Sequence, residues 1–111
     1  MHDSEAIQRM RQGDLDGLAV LLDRYQSKAI RAAFLITGDP VVAEDVVQET
    51  FLRLFQRVNQ FDGRRAFEPY LMRSVTNAAL NAIRHESRTA SLDDDPAAVE
   101  NLLDRAASVE D

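Results

Sequence analysis

The sequence predicts an all-α protein, a compact domain of four helices followed by an acidic tail that is flexible or forms a short helix. Three observations carry this reading. Apolar residues recur at steps of three and four over long stretches, no stretch alternates with a two-residue period over strand length, and sparse glycines and prolines divide the chain. With 111 residues and a 45% hydrophobic share, the chain can bury one modest core.

The elements follow in order. Residues 4–12 read as a short helix ended by Gly13. Asp14 is the expected N-cap of a long helix reaching about Thr37, in which Leu15, Leu18, Leu22, Tyr25, Ala29, Ala33 and Ile36 form an apolar stripe. Gly38 stops it. Asp39-Pro40 then starts a third helix, a capping residue followed by proline at the first helical position, running to about Asn59. FDGRRAF, residues 61–67, is the longest loop of the body, with turn chemistry at Asp62-Gly63. A fourth helix begins at Phe67 or Glu68, tolerates Pro69 in its first turn, and continues to about Ser87. The chain is thus read as a helical domain over 1–90 and an acidic linker or tail over 91–111, where Val99, Leu102, Leu103 and Ala106 could form a short amphipathic helix on an offered surface.

Charge is unevenly distributed. Residues 1–90 hold 12 acidic and 12 basic side chains, so the formal net charge of −6 resides in residues 91–111, with seven acidic groups and Arg105. A neutral body argues against nonspecific avidity for duplex nucleic acid but leaves room for a local binding surface. With no cysteine, neither a disulfide framework nor a thiolate metal site is expected. No apolar stretch approaches the roughly 20 residues that span a bilayer, and the N-terminus lacks a signal-peptide core, so a cytoplasmic protein without membrane insertion is expected.

Two helix faces stand out. In AEDVVQETFLRLF, residues 43–55, and just after it, Ala43, Val46, Val47, Thr50, Phe51, Leu54, Phe55 and Val58 mark a buried side. The opposite stripe carries Asp45, Gln48, Glu49, Leu52 and Gln56. By periodicity alone Leu52 reads first as a lone apolar surface residue, of which folded proteins carry many. A leucine ringed by carboxylates and amides also suits a small helix-to-helix interface with a polar rim. On the fourth helix Tyr70, Arg73, Ser74, Asn77, Asn81, Arg84 and Arg88 form one polar stripe, opposite Leu71, Met72, Val75, Ala79, Leu80 and Ile83. This stripe reads either as a solvated face or as a nucleic-acid surface. In the second case arginine holds phosphate, asparagine meets base edges and tyrosine offers a stacking plane, with Arg64 and Arg65 extending the footprint.

Catalysis is not expected. His2 and His85 belong to no metal-binding motif, and no phosphate loop or nucleophile elbow is present. Asp93-Asp94-Asp95 lacks calcium-loop spacing. No cofactor, metal or catalytic residue is assigned.

The run AEDVVQETFLRLF followed by FDGRRAFEPYLMRSVTNAALNAIR resembles the second region of bacterial RNA polymerase sigma factors, most closely the extracytoplasmic-function (ECF) group, over residues 10 to 90. Both motifs occur in the family's order and separation. The resemblance implies a sigma region 2 domain whose helix with Asp45, Gln48, Glu49, Leu52, Arg53 and Gln56 docks on the clamp helices of the polymerase β′ subunit. It also implies that the loop and fourth helix recognise and melt the promoter minus-ten element and hold its non-template strand. Arg64, Arg65, Tyr70, Arg73, Ser74, Asn77, Asn81, Arg84 and Arg88 are the expected DNA contacts, with Asn77 near an extruded base. An anti-sigma factor is a further expected partner, and an interaction module without DNA activity of its own is the alternative reading. Tyr70 stands where many members have tryptophan, and Asn81 where many have aspartate. The family's fourth region, a helix-turn-helix that reads the minus-thirty-five element, has no counterpart, and the tail resembles the linker leading to it. A segment of a longer protein is expected rather than a natural single-domain one.

Overall fold

The computed structural model describes residues 1–86, with side chains through His85; the expectations placed on Arg88 and on the tail 91–111 lie outside them. Four α-helices follow one another: α1 (Asp3–Arg11), α2 (Leu15–Thr37), α3 (Pro40–Gln56) and α4 (Phe67–Glu86), with a 3-10 turn at Val58–Gln60 between α3 and α4. Among the described residues there is no strand.

The helix ends are set by local chemistry. Asp14 accepts a hydrogen bond from the Asp16 amide at 2.9 Å, satisfying a first-turn donor of α2. At the other end Gly38 adopts φ +69°, and its amide donates to the Phe34 carbonyl at 2.8 Å. Asp39 caps α3 through one carboxylate oxygen, which accepts from the Val41 and Val42 amides at 2.9 and 3.3 Å, with Pro40 at the first helical position.

One boundary differs from the sequence expectation. The third helix ends at Gln56, not Asn59, and tightens into the 3-10 turn, whose Gln60 and Phe61 amides donate to the Arg57 and Val58 carbonyls at 2.9 and 3.2 Å. No glycine or proline announces this end. The turn delivers Val58 and Phe61 into the core, so the boundary comes from tertiary packing rather than from a stop residue.

The apolar stripe of α2 also differs. Ala29 and Ala33 are fully buried as expected, and Leu18, Leu22, Tyr25 and Ile36 pack at the core margin. Leu15, however, is 62% exposed, while Leu21 is fully buried and Gly17 and Ala32 are buried as well. The reason is that α1, α3 and α4 all pack on α2, so its buried surface is broader than one stripe. On α3, the turn after it and α4 the expected core sides hold: Ala43, Val46, Val47, Thr50, Phe51, Val58, Leu71, Val75, Ala79 and Leu80 are buried. The buried hydroxyls of Thr50 and Thr76 donate to the Val46 and Met72 carbonyls one turn back, at 2.7 and 2.8 Å, so neither is left unsatisfied.

Aromatic rings join the helices at one end. Tyr25 lies 5.7 Å from Phe67, Phe67 lies 6.0 Å edge-on from Phe61, and Phe61 lies 4.8 Å from Tyr70. Because Phe61 and Phe67 are both buried, the two ends of the intervening loop are fixed to the core. Nearby, the Tyr25 hydroxyl and Arg24 guanidinium both donate to Asp3 of α1, and Lys28 pairs with Glu68 of α4.

Two tests follow from this packing. A Cβ at Gly17 would lie 2.2 Å from the Ala6 carbonyl oxygen, so Gly17→Ala should push α1 off α2 and cost about 1–3 kcal/mol by urea denaturation. An unchanged midpoint would show that the crossing does not require glycine. Burial, reinforced by the Asp3 hydrogen bond and the Asp3 and Glu68 charges, pushes the Tyr25 phenol up from 10.0 to about 12. The folded state therefore holds this proton more tightly than the unfolded chain. The resulting stabilisation is complete below pH 10 and is lost as pH climbs through about 12. Tyr25→Phe should remove that portion of the alkaline slope in the denaturation midpoint.

Candidate nucleic-acid and protein interface

The outer side of α3 is an exposed band. Asp45, Gln48, Glu49, Arg53 and Gln56 are exposed, and Leu52 in their midst is 55% exposed. The same helix buries Val46, Val47, Thr50 and Phe51 on its inner side, and that inner packing orients the outer band. The structure adds a residue that sequence reasoning passed over. Val41 is 74% exposed and lies four residues before Asp45, so Val41, Asp45, Gln48 and Leu52 follow one line along the helix. Two exposed apolar groups on a line rimmed by carboxylates and amides have the composition of an interface with a polar rim. The signal was available as an i, i+4, i+7, i+11 series, but Val41 sits in the first turn, where it read only as part of the helix start.

A second feature lies between α3 and α4. A groove of about 200 Å³ is lined by Thr50, Arg53 and Leu54 of α3, by Arg57 just past its end, and by Tyr70, Ser74 and Asn77 of α4. Arg53, one residue beyond Leu52, thus borders the groove as well as the outer band. Arg57 was not among the expected site residues; its position next to the helix end hides it from a periodicity argument. Within the α4 stripe, Arg73, Asn77 and Asn81 are exposed, while Tyr70, Ser74 and Arg84 are half-buried. Tyr70 turns part of its ring against Phe61, leaving the remainder to wall the groove. The Ser74 hydroxyl donates to the Tyr70 carbonyl at 3.0 Å, which commits its proton to the helix and leaves its lone pairs outward. Asn81, Arg84 and His85 line a separate recess further along α4.

The loop at 62–66 is exposed throughout. Within it, Asp62 accepts from the Arg64 amide at 3.0 Å and pairs with the Arg64 guanidinium at 3.2 Å, and the Arg65 amide donates to the Asp62 carbonyl at 3.0 Å. These Arg64 hydrogen bonds, with the Arg65 and Arg11 charges adding, hold the Asp62 carboxyl below the usual carboxylate range. An exposed pair of this kind is worth little energetically, so Arg64 can exchange Asp62 for another anion at small cost. Arg65 stands beside it, also exposed.

Among the described residues no three His, Cys, Asp or Glu side chains gather as metal ligands, and no helix is long and apolar enough to cross a membrane.

Comparison with known proteins places these features in a family. The family model for sigma-70 region 2 matches residues 21–89. The ECF RNA polymerase sigma factor SigW of Bacillus subtilis is 32% identical over 96 residues, covering 86% of this chain and 51% of the relative. The ECF RNA polymerase sigma-E factor of Escherichia coli K12 is 31% identical over 103 residues, covering 90% of this chain and 52% of the relative. The chain therefore spans about half the length of the curated relatives it matches. Among solved structures, an engineered region 2 of sigmaE in complex with GTAAAA superposes with a TM-score of 0.71 at 30% identity, covering 83% of this chain and 96% of that one. The helical architecture, the two motif-bearing helices and these matches together show that this chain belongs to the sigma-70 region 2 family, in company with the ECF sigma factors.

Proposed function

We infer that this chain is a promoter-recognition domain that docks on core RNA polymerase through the outer band of α3 and opens the minus-ten element with the 61–67 loop and α4. The observation that carries this reading is the arrangement of two different surfaces about one helix. The outer band of α3 combines exposed Val41 and Leu52 with carboxylates, chemistry suited to a protein helix. The groove beside α3 combines arginines, an asparagine and a tyrosine face, chemistry suited to a nucleotide. The groove is open to one side, so a base held in it can remain part of a longer strand.

The mechanism is physical. Extruding a base from the duplex costs a few kcal/mol of unstacking, and the groove must offset it. Tyr70 supplies a partial stacking face, Asn77 a donor and acceptor for a base edge, and Arg53, Arg57, Arg64 and Arg65 positive charge for the flanking phosphates. The body over 1–90 carries no net charge, so it binds closed duplex weakly on its own. Docking on the β′ clamp helices brings the groove to DNA that the polymerase already holds, which confines melting to the assembled complex. In this reading the acidic stretch 91–111 is a linker outside the recognition body. The similarity to an engineered region 2 of sigmaE in complex with GTAAAA supports a nucleic-acid ligand for this domain.

Two variants separate the surfaces. Leu52→Ala should weaken binding to a β′ clamp-helix fragment by about 1–2 kcal/mol while leaving binding to a minus-ten non-template oligonucleotide unchanged. Asn77→Ala should do the reverse, costing about 1–3 kcal/mol and relaxing the preference at one base. Unaltered clamp affinity in the first variant, or unaltered oligonucleotide preference in the second, removes that assignment. Tight, specific binding of closed promoter duplex by the chain alone at physiological salt would overturn the requirement for assembly.

A further inference from the structure

Arg11, the last residue of α1, is remote in sequence from the recognition elements and belongs to neither motif. Its guanidinium nevertheless reaches the loop. Nη2 donates to the Phe61 carbonyl at 2.7 Å, and Nη1 donates to Gln8 at 3.2 Å, which braces the side chain against its own helix. The Nη1–Nη2 edge of the head group also faces Gly63, where an added Cβ would meet Nη2 at 3.4 Å and Nη1 at 3.6 Å. Its Nε is buried without a hydrogen-bond partner, so the stem of the group is enclosed and its contacts are made by the two terminal nitrogens.

The geometry around this contact is specific to a planar fork. One nitrogen binds the carbonyl at the loop entrance while the other is held from α1, and the edge that joins them abuts Gly63, two residues further on. Buried Phe61 and Phe67 fix the ends of the loop, but its exposed middle has no side chain in the core. The Asp62–Gly63 turn from which Arg64 and Arg65 project therefore rests on Arg11.

We propose that Arg11 is a positioning residue for nucleic-acid recognition: it holds the 61–66 loop in the conformation that presents Arg64 and Arg65 to the strand, without itself contacting DNA. This rests on the recognition reading above. A lysine in its place keeps the charge but loses the fork, so charge and positioning can be separated.

The test uses the 111-residue chain, its Arg11→Lys and Arg11→Met variants, and two readouts. The first is hydrogen exchange of the Arg64 and Arg65 amides, which are bonded within the Asp62 turn. Both variants should speed it by about fivefold or more, with amides in the middle of α2 unchanged. The second is affinity for a single-stranded minus-ten oligonucleotide across a salt series. Both variants should bind about three- to tenfold more weakly, because the loop must now be ordered on binding. The salt slope should stay as it is, and clamp-fragment affinity should not move. If Arg11→Lys behaves as the unaltered chain in exchange, the anchor is refuted. If Arg11→Lys binds normally while Arg11→Met weakens binding and flattens the slope by about 0.7, Arg11 is a direct phosphate contact and the proposal fails. If the unaltered chain does not bind the oligonucleotide, the recognition reading fails, and amide exchange alone still decides the anchor.

Discussion

Small side chains along α2 set the terms for the whole fold. Gly17, Ala29, Ala32 and Ala33 are all buried, and α2 packs against α1, α3 and α4 at once. A helix covered on three sides cannot carry bulky residues at every contact, because interhelical distance depends on the side chains at the crossing. The closest approach is at Gly17, where an added Cβ would lie 2.2 Å from the Ala6 carbonyl oxygen. Larger groups, Leu21 and the half-buried Tyr25, fill the remaining space between crossings. With α2 so placed, the inner faces of α3 and α4 are determined, and their outer faces are left for other work.

That division lets a domain of modest size hold two surfaces of different chemistry. Val46, Val47, Thr50 and Phe51 lock α3 against the core, which holds Leu52 outward on one flank and Arg53 toward the groove. Neither side chain has freedom to exchange roles without rotating the helix. The loop is treated differently. Two buried phenylalanines hold its ends, while its middle is exposed and turned by Asp62 and Gly63. The side chains of its arginines can therefore change rotamer without disturbing the core, while Arg11 holds the backbone of the turn.

Much of this was legible before any coordinates. Asp14, Gly38, Asp39 and Pro40 announced their helix ends because capping is local: the hydrogen bonds involved span two to four residues. The inner and outer faces of α3 were also legible, since a helix with one covered side shows a clean period. The stripe on α2 was misplaced by part of a turn, with Leu15 taken for core and Leu21 overlooked, because three-sided burial blurs that period. The end of α3 at Gln56 was missed because no residue type marks it. The exposure of Leu52 and Asn77 follows from the helical period, whereas the places of Val41, Arg57 and Arg11 do not.

The sequence by itself determined the helical class, the order and caps of the helices, the neutral body with its acidic tail, and the resemblance that named the family. All of these depend on residues near one another in the chain, or on a pattern that repeats along it. Only the tertiary structure decided which leucines of α2 are buried, that Arg53 and Arg57 share a groove with Tyr70 and Asn77, and that Arg11 reaches a carbonyl 50 residues away. The physical reason is that a side chain's partner across a helix crossing is set by the angle and separation of two packed helices. Those quantities depend on every small residue at the interface at once, and no local pattern in the chain records them.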